Sequence, residues 1–114
     1  MNRKALILGI NGTKLSTEEK ELLKHEKPWG IILFSRNVKN IKQLEILIKD
    51  IRKNIHDPNY PILIDQEGGN VSRLNKIIDF SLFSQGNFGK LFARDKKIFN
   101  DYYSIYINNV CDIL

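Results

Sequence analysis

Residues 30–65 read GIILFSRNVKNIKQLEILIKDIRKNIHDPNYPILID, and this stretch decides the fold. It opens on the apolar run Gly30-Ile31-Ile32-Leu33-Phe34 and closes on Tyr60-Pro61-Ile62-Leu63-Ile64-Asp65. Both runs are short, apolar without alternation and rich in β-formers, as expected of strands in a parallel sheet covered on both faces. Between them, Asn40 is placed to cap a helix, with Gln43 at its third position. Ile41, Leu44, Leu47, Ile48, Ile51 and Ile55 then recur at helical spacing and form one apolar stripe. Asp57-Pro58-Asn59 supplies the turn into the second run. The reading is strand, helix, strand.

Working outward, the same alternation continues toward the N-terminus. Ala5-Leu6-Ile7-Leu8-Gly9-Ile10 is a third continuous apolar run, broken by Asn11-Gly12. Ser16 with Glu19 forms a capping box, so a helix is predicted from about Thr17, ending before Pro28. Three strands with helical crossovers and short connections indicate an α/β fold with a parallel sheet. Toward the C-terminus the signal weakens after Arg73. Residues 79–90 read as loop, rich in Ser, Gly and Phe. From about Lys96 to Leu114 the pattern is helical, with Ile98, Tyr102, Ile105, Tyr106, Val110 and Ile113 on roughly one side. That last helix reaches the final residue without a Gly cap, a proline or a polar tail. The expectation is about three βα units, residues 1–114, forming the N-terminal part of an incomplete (β/α)8 TIM barrel, truncated at the C-terminus.

Composition sets outer limits. The chain has 114 residues, 42% hydrophobic and 27% charged, which is globular rather than disordered. No stretch approaches the ~20 apolar residues of a membrane span. The start, Met1-Asn2-Arg3-Lys4-Ala5, leads into a run too short for a signal-peptide core, so the expected location is cytoplasmic. Cys111 is the only cysteine; it falls in an apolar pattern and is expected to be a buried, inert thiol. The net charge is +5. The basic residues are scattered, so a solvated lysine-rich surface is expected, not a nucleic-acid interface, and no membrane partner.

Polar residues gather where the third strand ends: Asp65-Gln66-Glu67-Gly68-Gly69-Asn70-Val71-Ser72-Arg73. Ligands of parallel α/β folds bind beyond the C-terminal ends of strands. Asp65 and Glu67 are two apart and share a side of an extended segment. They fit a general acid and base, or equally one ligand-binding and one structural group. Gly68 and Gly69 permit close backbone approach to a ligand, or simply a tight turn. No GxGxxG or P-loop lysine supports a phosphate cradle. His25 and His56 read as solvated, with no metal site expected. Trp29 reads as a packing residue rather than a sugar platform.

Asp65-Gln66-Glu67-Gly68-Gly69, then Val71 and Arg73-Leu74, resembles the DQEGG-x-V-x-R signature of glycoside hydrolase family 3 β-N-acetylhexosaminidases, whose bacterial members work in cell-wall recycling. Gly30 to Asn37 resembles that family's second strand with its Phe-x-Arg-Asn ending, and Gln43-Leu44 to Ile51-Arg52 the helix after it. The likeness is clear over residues 5–78 and a matter of pattern beyond. The resemblance implies a (β/α)8 barrel and retaining hydrolysis of terminal β-linked N-acetylglucosamine, in peptidoglycan recycling. The partner is then a carbohydrate, an N-acetylglucosamine-containing glycan or muropeptide. It implies no cofactor and no metal. By the same resemblance Asp65 and Arg73 bind sugar hydroxyls, so Asp65 is a substrate clamp rather than the acid. The family's Lys-His-Phe-Pro-Gly-His-Gly stretch and its nucleophilic aspartate have no counterpart here, so no catalytic residue is assigned. Asn70 departs from the arginine usual after the paired glycines. Two alternatives stay open: a β-glucosidase-type specificity, and a non-catalytic sugar-binding module.

Overall fold

The computed structural model describes residues 3–113. Met1 and Asn2, and the expected last helical position Leu114, lie outside the described residues. The chain is α/β and divides into two compact units, Met1–Gln66 with Arg73–Ile78, and Glu67–Ser72 with Asp79–Leu114.

The first unit is built as the apolar runs require. Strand β1 (Lys4–Gly9) leads to helix α1 (Thr17–Glu26), strand β2 (Pro28–Leu33), a 3₁₀ turn (Ser35–Asn37), helix α2 (Ile41–Ile55) and strand β3 (Ile62–Ile64). The sheet order is β1-β2-β3 with both pairs parallel. Leu8 lies beside Ile31, and Ile31 beside Ile62, so the three runs are in register at the sheet's centre.

Local chemistry sets the helix limits. Ser16 accepts from the Glu19 amide and the Glu19 side chain reaches back to Ser16, closing the predicted capping box. Asn40 caps α2 by accepting from the Gln43 amide at 2.9 Å. Lys27 and His56 end the two helices in the left-handed conformation, at φ of 45° and 56°. The α2 stripe buries Leu44, Leu47, Ile51 and Ile55 against Ile31, Leu33 and Val38. Arg3 pairs with Asp57 and lies over the Tyr60 ring, whose hydroxyl donates to the Pro28 carbonyl at 2.9 Å. That chain of contacts ties the start of β1 to the turn before β3.

Two expectations about this unit are corrected. The β1 run is not covered on both faces: Leu6 and Ile7 are 44% and 45% exposed. Among the described residues it is the edge of the three-stranded sheet and pairs with β2 alone. Trp29, expected to pack, is 47% exposed.

The second unit carries helix α3 (Gln85–Arg94) and helix α4 (Lys96–Ile113). Residues 79–90 were expected as loop; instead α3 begins inside them, capped by the Ser84 hydroxyl accepting from the Asn87 amide at 3.2 Å. Gly86 and Gly89 mask the helix in the sequence because each lowers its propensity by ~1 kcal/mol. Tertiary packing overrides that cost. Phe88 is buried among Phe83, Phe99, Tyr103 and Tyr106, with the Tyr103 ring centroid at 4.9 Å. The buried stripe of α4 also differs from expectation. Tyr106 and Val110 are buried, but Ile98, Tyr102 and Ile105 are exposed. The aromatic face at Phe99, Tyr103 and Tyr106 carries the packing instead. Cys111 is exposed, not buried, because it follows Val110 off that face. Among the described residues no helix is long and apolar enough to cross a membrane.

Candidate functional site

Asp65 is the residue after β3, at the C-terminal edge of the sheet. Its carboxylate Oδ2 meets Nη2 of Arg73 at 3.4 Å. Gln66 brings the two together. Its Oε1 accepts from the backbone amides of Arg73 at 2.8 Å and Leu74 at 3.2 Å, so the returning chain is held beside its own departure point. Leu74 is fully buried and anchors the return. Asp65 is exposed, so its remaining lone pairs stay open to a ligand.

Arg73 is more enclosed. Its side chain is 27% exposed, and its Nε is buried without a hydrogen-bond partner among the described residues. The guanidinium lies over the Phe34 ring, its central carbon 5.5 Å from the centroid. Arg36 lies over the same ring at 4.6 Å and donates Nε–H to the Ile10 carbonyl at 3.0 Å.

Phe34 follows the last residue of β2, and the turn after it fixes it. The Phe34 amide donates to Oδ1 of Asn37 at 2.8 Å. Asn37 is fully buried and donates from Nδ2 to the carbonyls of Ile10 and Gly12. One side chain therefore ties the end of β2 to the segment after β1. Gly9 completes the arrangement: a Cβ there would lie 3.3 Å from the Phe34 ring and 3.2 Å from Arg36 Nη2. The Phe-x-Arg-Asn stretch was visible in the sequence, but its link to Arg73 was not, since nothing local encodes a contact between distant segments.

The paired glycines act differently from a ligand cradle. Gly68 and Gly69 have φ of 78° and 59°, and Gly68 bridges to Val71 in a tight turn. A Cβ on Gly68 would be 2.3 Å from the Phe83 carbonyl oxygen, and one on Gly69 2.6 Å from the Ser84 Cβ. The missing side chains thus admit the chain of residues 83 and 84. Glu67 is exposed; its amide donates to the Val71 carbonyl and its carbonyl accepts from Gln85 Nε2. Its backbone serves the turn. Asn70 is exposed in the same turn. His25 and His56 are exposed, and among the described residues no group of three or more His, Cys, Asp or Glu is placed to hold a metal.

The site offers one carboxylate acceptor and one guanidinium donor, set side by side at a sheet edge. That suits neighbouring hydroxyls, which both accept and donate.

No protein-family model matches the chain. Curated relatives do. A β-hexosaminidase of Haemophilus ducreyi is 48% identical over 71 residues, 62% of this chain and 20% of the relative. A β-hexosaminidase of Psychromonas ingrahamii is 47% identical over 68 residues, 60% of this chain and 20% of the relative. The chain thus spans about a fifth of the length of the curated relatives it matches. Among solved structures, NagZ from Neisseria gonorrhoeae in complex with N-trifluoroacetyl-D-glucosamine is similar at 38% identity and a TM-score of 0.58, over 67% of this chain and 21% of that one. A glycoside hydrolase family 3 β-N-acetylglucosaminidase from Paenibacillus sp. str. FPU-7 is similar at 32% identity and a TM-score of 0.56, over 61% of this chain and 14% of that one.

Proposed function

We propose that this chain is the N-terminal portion of a glycoside hydrolase family 3 β-N-acetylhexosaminidase barrel, contributing part of the site that holds a terminal N-acetylglucosamine. The observation that carries the reading is the pairing of Asp65 with Arg73 at 3.4 Å, just beyond β3. The similarity to curated β-hexosaminidases, and to a NagZ solved with an N-acetylglucosamine analogue, supports it. The whole enzyme is read as a cytoplasmic hydrolase of cell-wall recycling.

In this reading the ionised Asp65 accepts from two sugar hydroxyls while the Arg73 fork donates to one of them. The sugar is thereby oriented before any bond breaks. The nucleophile and the acid/base of the retaining reaction come from outside these 114 residues. The first attacks the anomeric carbon, and the second protonates the leaving oxygen and then activates water.

The test is made in a full-length β-hexosaminidase carrying this segment. Losing a hydrogen bond to a charged group costs ~1.5–3 kcal/mol, so Asp65→Ala and Arg73→Ala are each expected to lower kcat/KM by about one to two orders of magnitude. The loss is expected to be similar for an aryl glycoside and a natural disaccharide. Selective rescue of Asp65→Ala by the aryl substrate, whose leaving group needs no proton, would make Asp65 the general acid and overturn the clamp.

A further inference from the structure

We infer that Phe34 is a positioning residue for Arg73: its ring holds the guanidinium in the orientation that meets Asp65 and the sugar. The inference rests on the clamp reading of Arg73. Little else fixes that side chain. Its contact with Asp65 is long, at 3.4 Å, and its Nε is buried without a partner among the described residues. A guanidinium over an aromatic face gains from both the ring quadrupole and flat stacking, and Arg73 lies over Phe34 at 5.5 Å.

Phe34 is itself well held. Its amide is bonded to the buried Asn37, Arg36 covers the ring at 4.6 Å, and Gly9 leaves room for it against β1. Arg36 is in turn fixed to the Ile10 carbonyl. With two guanidiniums over it, the ring is taken as a platform for arginine and not for a sugar face. Removing the ring would free Arg73 to other rotamers and leave the fork disordered when the hydroxyls arrive.

The experiment uses the full 114-residue chain labelled with ¹⁵N-arginine. The Arg73 Nε–H, buried and close to a ring, is expected to be ring-shifted and slow to exchange with water. Phe34→Leu is expected to abolish the ring shift and speed exchange about tenfold, while Phe34→Tyr keeps both. Amide protection at Ile31 and Ile32 checks the fold, and Phe34→Met is the second ring-less variant should leucine fail to fold. Titration of a full-length β-hexosaminidase carrying this segment with N-acetylglucosamine supplies the functional readout. Phe34→Leu is expected to weaken binding about three- to tenfold, and to add nothing in an Arg73→Ala background. An unchanged Arg73 Nε–H in folded Phe34→Leu overturns the inference. So does a Phe34→Leu effect that persists without Arg73, since the ring would then touch the sugar itself. Absence of sugar binding by the unsubstituted full-length enzyme counts against the clamp reading, and the Nε–H signal still decides whether the ring holds the guanidinium.

Discussion

Gly68 has a φ of 78°, and a Cβ there would lie 2.3 Å from the Phe83 carbonyl oxygen and 2.9 Å from the Tyr106 hydroxyl. Two penalties combine: the left-handed conformation and a clash with backbone that has nowhere to go. Gly68→Ala is expected to destabilise the chain by about 2–4 kcal/mol in urea unfolding. Gly12 has no left-handed φ and open space around it, so Gly12→Ala is expected to stay within about 0.5 kcal/mol of the parent. Equal effects at the two positions would remove the steric argument. At this scale the sequence was informative where a motif is contiguous. The Asp65 to Arg73 stretch was legible, and the structure brings its ends together. The role of the glycines was not, because Phe83 and Ser84 enter only through the fold. Cys111 was misread because an apolar neighbourhood in sequence does not fix which helix face is covered.

Among the elements, α1 shows how caps make a helix legible. Its apolar content is slight, with Leu23 alone buried, yet Ser16 and Glu19 fix its start. Ser16→Ala is expected to cost about 1 kcal/mol, read from the urea midpoint. The helix also predicts a pH response. The Ser16 hydroxyl donates to Glu18 and holds its carboxyl below the ordinary value of 4.5, and Lys24 does the same for Glu21. Both groups are depressed in the folded state. Their contribution is therefore present above pH 4.5, and is lost as the pH falls through the lower folded values. The urea midpoint is expected to fall in that window, and to fall less in Ser16→Ala, where the larger part of the Glu18 component, the bond from Ser16, is already absent. A steeper acid response in Ser16→Ala would contradict the assignment. Helix α2 was equally legible, through Asn40 and a stripe that buries Leu44, Leu47, Ile51 and Ile55. Helix α3 was not, because two glycines and an asparagine hide a segment that Phe88 and Phe92 commit to the aromatic cluster. The cover expected over β1 was also misjudged. A continuous apolar run says that a strand suits burial, not that both its faces meet a partner in this chain.

For the whole molecule, the two units have cores of different chemistry. The first is aliphatic in the main, centred on Ile31, Leu47, Ile51 and Val38, and its unit carries the single tryptophan, Trp29, outside that core. The second is aromatic, and its unit carries Tyr102, Tyr103 and Tyr106, three of the four tyrosines. Each unit therefore carries its own optical probe. Tryptophan fluorescence follows the first and tyrosine near-ultraviolet dichroism chiefly the second. Phe88 contacts four other rings, so Phe88→Ala leaves a cavity worth about 3–5 kcal/mol in the second unit. Its direct contacts lie in that unit, so the tyrosine transition is expected to move to markedly lower denaturant. The tryptophan transition is expected to move less. Non-coincident transitions violate two-state behaviour and mark separately cooperating cores. If both probes shift together by the same amount, the 114 residues unfold as one cooperative body, and the division into two cores has no thermodynamic counterpart.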